Sequence, residues 1–418
     1  MLSAFLDSIT RPDELAALYR YKFAPKTDAH RRLQQTLAKD ASKKRCYDFL
    51  NMTSRSFAAV IQELEPDEVR DAICLFYLVL RGLDTIEDDM TLPLDRKVEL
   101  LRSFDKIIYQ KGWTFNENGP NEKDRELLVQ FDVVIDEFLR LKPQYQKVIE
   151  NITNLMGNGM ADYATGEHRE NMSVATVADF DLYCHYVAGL VGYGLSDIFA
   201  ASGYETEELA KEKKLSNSMG LFLQKTNIIR DYREDLDDGR QFWPREIWSK
   251  YVKDFSDFTK PEFKTEAKYC LNDMVLNVLN HIPDVLTYLS KLKTQPIFMF
   301  CAIPQVMAIA TLALVFNNLQ IYERNIKIRK GEAVRLILDS SNMDSVVAIF
   351  RKYVFEIARK NDACDPNFME ISMAVGKIEQ WIHTNYKPSS AIQKKQFNLF
   401  TPILIGLIGV LLFAYFKN

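Results

Sequence analysis

The stretch Ala72-Ile-Cys-Leu-Phe-Tyr77-Leu-Val-Leu-Arg81-Gly-Leu-Asp84-Thr-Ile-Glu87-Asp88 is apolar up to Leu80 and then turns acidic. At roughly 3.6 residues per turn, Tyr77, Arg81, Asp84 and Asp88 fall at i, i+4, i+7 and i+11, a single polar stripe on an otherwise buried helix. A second stretch, Met219-Gly-Leu-Phe-Leu-Gln224-Lys-Thr-Asn227-Ile-Ile-Arg230-Asp231-Tyr-Arg-Glu234-Asp235, repeats the design with Gln224, Asn227, Asp231 and Asp235. In both copies the acids stand at i, i+3 and i+4, so Asp84, Glu87 and Asp88, and likewise Asp231, Glu234 and Asp235, project from one helix face. Two such stripes facing each other make a polar-walled cavity inside a helix bundle, the usual ligand site of all-α folds.

The rest of the chain agrees with an all-α fold. Of its 418 residues 47% are hydrophobic and 26% charged, a globular composition, and only 16 Gly and 14 Pro interrupt long apolar-periodic runs. Helices are predicted over 13–21, 28–50, 55–63, 66–90, 94–110, 122–139, 143–164, 175–201, 206–235, 262–291, 296–319, 330–338, 343–360 and 368–382. No shift of composition divides them, so residues 1–386 read as one catalytic domain. A net charge of -4 excludes the basic footprint of a general nucleic-acid binder. The six cysteines are scattered without a Cys-x-x-Cys pair, which indicates a reducing compartment. The N-terminus is too soon interrupted by Asp7 and Arg11 to be a signal peptide. Residues 387–396 read as a polar linker. Residues 397–416 are uncharged and apolar on all sides over about the 20 residues a bilayer core requires, and are expected to form a C-terminal membrane anchor; the other reading is a buried core helix.

Clustered carboxylates repel, and two unit charges about 4 Å apart interact by roughly 4 kcal/mol at an effective dielectric near 20, so a partly buried cluster implies a compensating cation. Oxygen-only ligands suit Mg²⁺, which fills its octahedron with water and substrate phosphate. Arg81 and Arg230 beside the two motifs, and Arg55 between Ser54 and Ser56 at a predicted helix start, supply forks and hydroxyls for phosphate oxygens. A diphosphate is the ligand this set suits. Ser54 is equally suited to capping a helix, and any single arginine to pairing with a surface acid. No dinucleotide fingerprint accompanies the site: Gly192-Tyr-Gly194-Leu-Ser-Asp197 lies inside an apolar helix instead of after a strand.

With Ser54-Arg55-Ser56-Phe57, Tyr77 to Asp89, Tyr183-Cys-His-Tyr-Val-Ala-Gly189-Leu-Val-Gly192, Gln224 to Asp235 and Gln295-Pro-Ile-Phe-Met-Phe300-Cys-Ala-Ile-Pro304, nearly the whole chain resembles isoprenoid synthases of the head-to-head class and, within it, the eukaryotic squalene synthases. The resemblance implies a single-domain isoprenoid-synthase helical bundle with a central cavity. It implies joining of two farnesyl diphosphates to presqualene diphosphate, then reduction to squalene by NADPH. It assigns Mg²⁺ to Asp84, Glu87, Asp88, Asp231, Glu234 and Asp235, and binding of the prenyl diphosphate substrate to Ser54, Arg55, Ser56, Tyr77, Arg81, Gln224, Asn227, Arg230 and Pro304, with Arg55, Arg81 and Arg230 clamping the diphosphate. Phe57 and Phe300 are expected to stabilise an allylic cation through their ring faces. Tyr183 is expected to accept a proton or stabilise that cation, with Tyr186 the alternative phenol. Lys123, Lys327 and Arg329 are expected to meet the phosphates of NADPH. A monomer on the endoplasmic reticulum membrane, its catalytic part in the cytosol, completes the expectation. Asp237-Asp238 thickens the second cluster beyond the usual pattern. Two other readings stay open: a phytoene-synthase-like enzyme that condenses without reducing, and a membrane-tethered helical scaffold whose acids only bind divalent ions.

Overall fold

The computed structural model describes residues 11–25, 27–165 and 174–386, and for Arg55 and Ser56 the backbone alone. The linker 387–396 and the expected anchor 397–416 lie outside the described residues. Among the described residues every regular element is helical. Helices α1 (Arg55–Ile61), α2 (Asp67–Asp88), α3 (Pro143–Thr165), α4 (Leu190–Ala201), α5 (Lys213–Arg230), α6 (Ile282–Lys291) and α7 (Gln295–Val315) contribute to the wall of a central cavity of about 670 Å³.

Helix α2 starts after Pro66 with Asp67 and Glu68 in its first turn, where acids favour the positive end of the helix dipole. It buries Ala72, Ile73, Phe76, Leu78, Val79, Leu80 and Leu83, and ends at Asp88 because Asp89 turns extended. Asp89 is buried and accepts from Thr91, Asn118 and the Gly119 amide, so this last acid of the motif fixes a loop. Helix α5 packs on α4, α6 and α7. Close backbone approach makes this possible: a Cβ on Gly192 would meet the Ser216 carbonyl at 2.2 Å, and one on Gly220 the Ala188 carbonyl at 2.3 Å. The glycines of the apolar 183–194 run therefore serve helix packing. Helix α7 is long and apolar enough to cross a bilayer, but 78% of its apolar window is buried inside the protein, as befits a core helix.

Several runs predicted as single helices are divided. The 28–50 run breaks before Asp40, whose side chain caps Ala41–Thr53. The 262–291 run breaks near Asn280, before Pro283. The 175–201 run contains a π-turn over His185–Gly189, an irregularity common at functional sites. The 206–235 run breaks at Asp231, inside the second acidic motif.

Candidate active site

On α2 the first motif is continuous. Glu87 is buried (6% exposed), while Asp84 keeps 32% of its side chain open and lines the cavity. Burial raises the Asp84 carboxyl to about 7, with Asp88 and Asp124 adding to the effect and Arg81 opposing it. Glu87 is raised as well, first by burial and then by Asp88 and Asp84. Arg81 lies 3.8 Å from Asp84, held back because its Nε donates to buried Asp124 at 2.7 Å.

The second motif straddles a break. Helix α5 stops at Arg230, Asp231 leaves the helical region (φ -92, ψ 12), and a short helix α8 (Tyr232–Asp237, numbered after α7 although it precedes it in the chain) resumes. Tyr232 is 1% exposed, donates to the Phe255 carbonyl at 2.8 Å and sits among Trp243, Phe255, Phe258 and Tyr322, so α8 is fixed by an aromatic cluster of its own. The expected single stripe is thus bent at its third member. Asp231 receives both prongs of Arg230, at 2.8 and 2.6 Å, and the Asn325 amide at 2.6 Å. Glu234 is exposed and lines the cavity, and Asp235 is pushed by burial to about 7, with Arg240 opposing and Asp231 adding to the rise.

Arg240 is a site residue that the motifs did not disclose. Gly239 (φ 74) reverses the chain after α8 in the left-handed conformation a helix C-terminus favours, and the Arg240 amide closes back on the Asp235 carbonyl at 2.8 Å. Its guanidinium then lies 3.2 Å from Asp88 and 3.3 Å from Asp235, joining the two motifs, and 2.9 Å from Asp238. The extra acid of the Asp237-Asp238 pair therefore holds this strap. Its visible signal in the sequence was an arginine returning after an acidic, glycine-closed turn.

The cavity brings together Ser54, Phe57, Tyr77, Arg81, Asp84, Lys123, Gln224, Asn227, Arg230, Asp231, Glu234, Phe300, Pro304 and Lys327 on its wall. Ser54 also caps α1, accepting from the Phe57 amide at 3.3 Å. Phe57 stands 5.8 Å from the Tyr77 ring, and Phe300 6.2 Å edge-on from Phe199. Glu87, Asp88 and Asp235 are not on this wall; Glu87 is buried and Asp88 exposed. Tyr183 also stands off the wall, stacked 4.9 Å from Phe242 and tilted against Tyr163 at 5.2 Å. Burial, then Glu87, Asp88 and Asp235, raise its phenol well above the ordinary range. Arg329 does not join Lys327 at the cavity; it pairs with Glu14 and Glu332. Among the described residues no group of three carboxylate, histidine or cysteine side chains is close enough to hold a metal unaided.

Residues 50–332 match the family model described as squalene/phytoene synthase. The chain belongs to that family. Relatives include the squalene synthases of Schizosaccharomyces pombe, 60% identical over 338 residues (81% of this chain, 73% of the relative), and of Cyberlindnera jadinii, 49% over 385 (92% and 86%). That of Saccharomyces cerevisiae is 52% identical over 342 residues (82% and 77%). A solved structure, TcSQS with a bound ligand, superposes with a TM-score of 0.79 at 42% identity, covering 82% of this chain and 99% of the other. Family membership places the chain with the eukaryotic squalene synthases and makes it a prenyltransferase-type enzyme of isoprenoid and sterol biosynthesis. A scaffold without activity is thereby set aside.

Proposed function

We propose that this enzyme joins two farnesyl diphosphates to presqualene diphosphate and reduces that product to squalene with NADPH. The observation that carries this reading is one cavity walled by carboxylates of both motifs, by Arg81 and Arg230, and by the aromatic faces of Phe57 and Phe300. Raised carboxyls at Asp84, Glu87 and Asp235 mark a donor set short of positive charge, and Arg240 already supplies one internal cation. Hard oxygen donors in twos suit Mg²⁺ that keeps water and diphosphate oxygens as its other ligands. Asp84, Asp231 and Glu234 would hold it from the cavity wall, with Glu87, Asp88 and Asp235 completing the two motifs. Bound there, Mg²⁺ neutralises the charge that grows on departing diphosphate.

Arg81 and Arg230 add guanidinium donors where that charge develops. As the carbon–oxygen bond of one farnesyl diphosphate breaks, an allylic cation remains. The buried walls formed by Leu80, Val191, Leu195, Met219 and Leu223 keep water from it, and the faces of Phe57 and Phe300 stabilise it. Its attack on the double bond of the second chain, with loss of a proton, closes the cyclopropane. Of the two roles open to Tyr183, the raised phenol pKa keeps the hydroxyl protonated, which disfavours proton acceptance and favours stabilisation of the cation by its ring. NADPH, when bound, would supply the hydride that reduces the rearranged cation. Lys123 and Lys327 on the cavity wall offer charge for its phosphates. Anchoring at the endoplasmic reticulum through 397–416 completes the reading.

Incubating purified protein with farnesyl diphosphate and Mg²⁺ tests it. Presqualene diphosphate should form without NADPH and squalene with it. A product that NADPH leaves unchanged would point instead to a condensing enzyme without reduction.

A further inference from the structure

Lys327 and Arg329 are two apart in an irregular segment ahead of the helix Lys330–Asp339, and in an extended chain that spacing would put both on one side. The structure nevertheless sends them to different places. Lys327 reaches the central cavity, whereas Arg329 turns into a neighbouring cleft of about 290 Å³ under the N-terminal helix Pro12–Phe23. There Glu14, 3% exposed, accepts from Arg329 Nε at 3.0 Å and from Nη2 at 2.6 Å. Arg329 also lies 2.9 Å from Glu332, which accepts from the Tyr353 hydroxyl at 2.7 Å, and Arg335 lies 2.9 Å from Asp13. A forked arginine on a buried carboxylate is a strong, geometrically specific joint.

What this joint holds is the edge of the active site. The segment from Glu323 to Arg329 is pinned at its start by Tyr322, whose buried hydroxyl donates to the Ala267 carbonyl at 2.8 Å, and at its end by Arg329 on Glu14. Between the pins, Ile326 is buried, Asn325 donates to Asp231 at 2.6 Å, and Lys327 faces the cavity. We propose that Glu14 is a positioning residue: through Arg329 it sets the register of this segment and so the place of Lys327 at the site of the dinucleotide phosphates. The proposal rests on the reading of Lys327 as a cofactor contact. It assigns Arg329 to the joint, and the N-terminal helix to the reductive half-reaction. Condensation should change little because Arg329 pairs with Glu14 and Glu332, neither of which belongs to the two acidic motifs.

The test is a double-variant cycle on the full chain, with the two half-reactions measured separately. Glu14→Gln should raise the KM for NADPH several-fold, with kcat of the reduction and the condensation rate little changed. Arg329→Gln should do the same, and the double variant no more than either alone. Glu14→Asp, which keeps the charge, should recover part of the affinity. Independently of activity, hydrogen exchange of 323–329 should quicken in Glu14→Gln. A lower KM for NADPH in Glu14→Gln would overturn the proposal by showing that Glu14 withholds Arg329 from the cofactor. Additive losses in the double variant would overturn it too. Equal loss of both half-reactions with a lowered melting temperature would reduce Glu14 to a general brace, again against the proposal. Should Glu14→Gln fail to fold, Arg329→Lys gives the same readouts. Lys327→Ala separates the premise: an unchanged KM for NADPH in that variant means the segment does not face the cofactor at all.

Discussion

Asp84 stands within an unbroken helix with its arginine kept 3.8 Å away by Asp124, whereas Asp231 sits at a helix break and receives both prongs of Arg230 and the amide of Asn325. The letters and spacing of the two motifs match; their electrostatics do not. The first carries carboxyls raised by burial and lacking a close partner, and is ready for an added cation. The second is internally neutralised at its leading acid and must loosen Arg230 to lend Asp231 to a metal. Equal motifs therefore hold unequal stakes in the stability of the empty protein, even where they share one reaction.

The largest effect expected from this contrast is kinetic. Asp84→Asn and Asp231→Asn should each lower condensation by a hundredfold or more, about 3 kcal/mol in the barrier at ~1.4 kcal/mol per tenfold. Their folds should respond in opposite senses. Without metal at pH 8, Asp84→Asn should melt no lower than the parent, because it removes a charge that burial disfavours. Asp231→Asn should melt lower, since it breaks a fork worth about 1 kcal/mol for a partly exposed pair. Equal melting shifts in the two variants would erase the distinction.

Arg240 is the next place to press. Its guanidinium spans Asp88 and Asp235, so Arg240→Gln should leave the two motifs more negative and lower the Mg²⁺ concentration for half-saturation several-fold, read by calorimetry. An unchanged or weaker affinity would mean that the strap chiefly holds the motifs at the right separation.

A smaller effect is the pH dependence of the metal-free fold. Burial lifts Asp84 and Asp235 from the ordinary aspartate 3.8 to about 7, so between these values the folded protein holds protons that the unfolded chain has released. Unfolding free energy then falls as pH rises through that window. The melting temperature without metal should decline from pH 5 towards pH 8, less steeply in Asp84→Asn. Mg²⁺ should stabilise more at pH 8 than at pH 6, because it binds the deprotonated acids.

Much of this site was legible because helix periodicity is local. Tyr77, Arg81 and Asp84 share the face that their spacing implies, and Gln224, Asn227 and Arg230 meet them across the cavity. What escaped depends on distant contacts. The break at Asp231 accompanies the burial of Tyr232 against Trp243, Phe255 and Tyr322. Asp124, which restrains Arg81, falls inside the predicted 122–139 helix but stands just before the shorter helix Arg125–Val129, and Arg240 follows a turn. Arg329 was assigned to the cofactor with Lys327 by the resemblance, and its ion pair with Glu14, from the far end of the chain, had no signal in the local sequence. Tyr183 was read as the proton acceptor or cation stabiliser, and the sequence did not disclose its stacking on Phe242 beside Glu87, Asp88 and Asp235.

The central claim is that two motifs form one site. Mg²⁺ binding in the presence of inorganic diphosphate, measured by calorimetry on the parent, Asp84→Asn, Asp231→Asn and the double variant, tests it most directly. One shared site predicts that each single variant loses most of the affinity and that the double loses little more. Losses that add, or half of the binding surviving in each single variant, would show two independent sites and contradict the account.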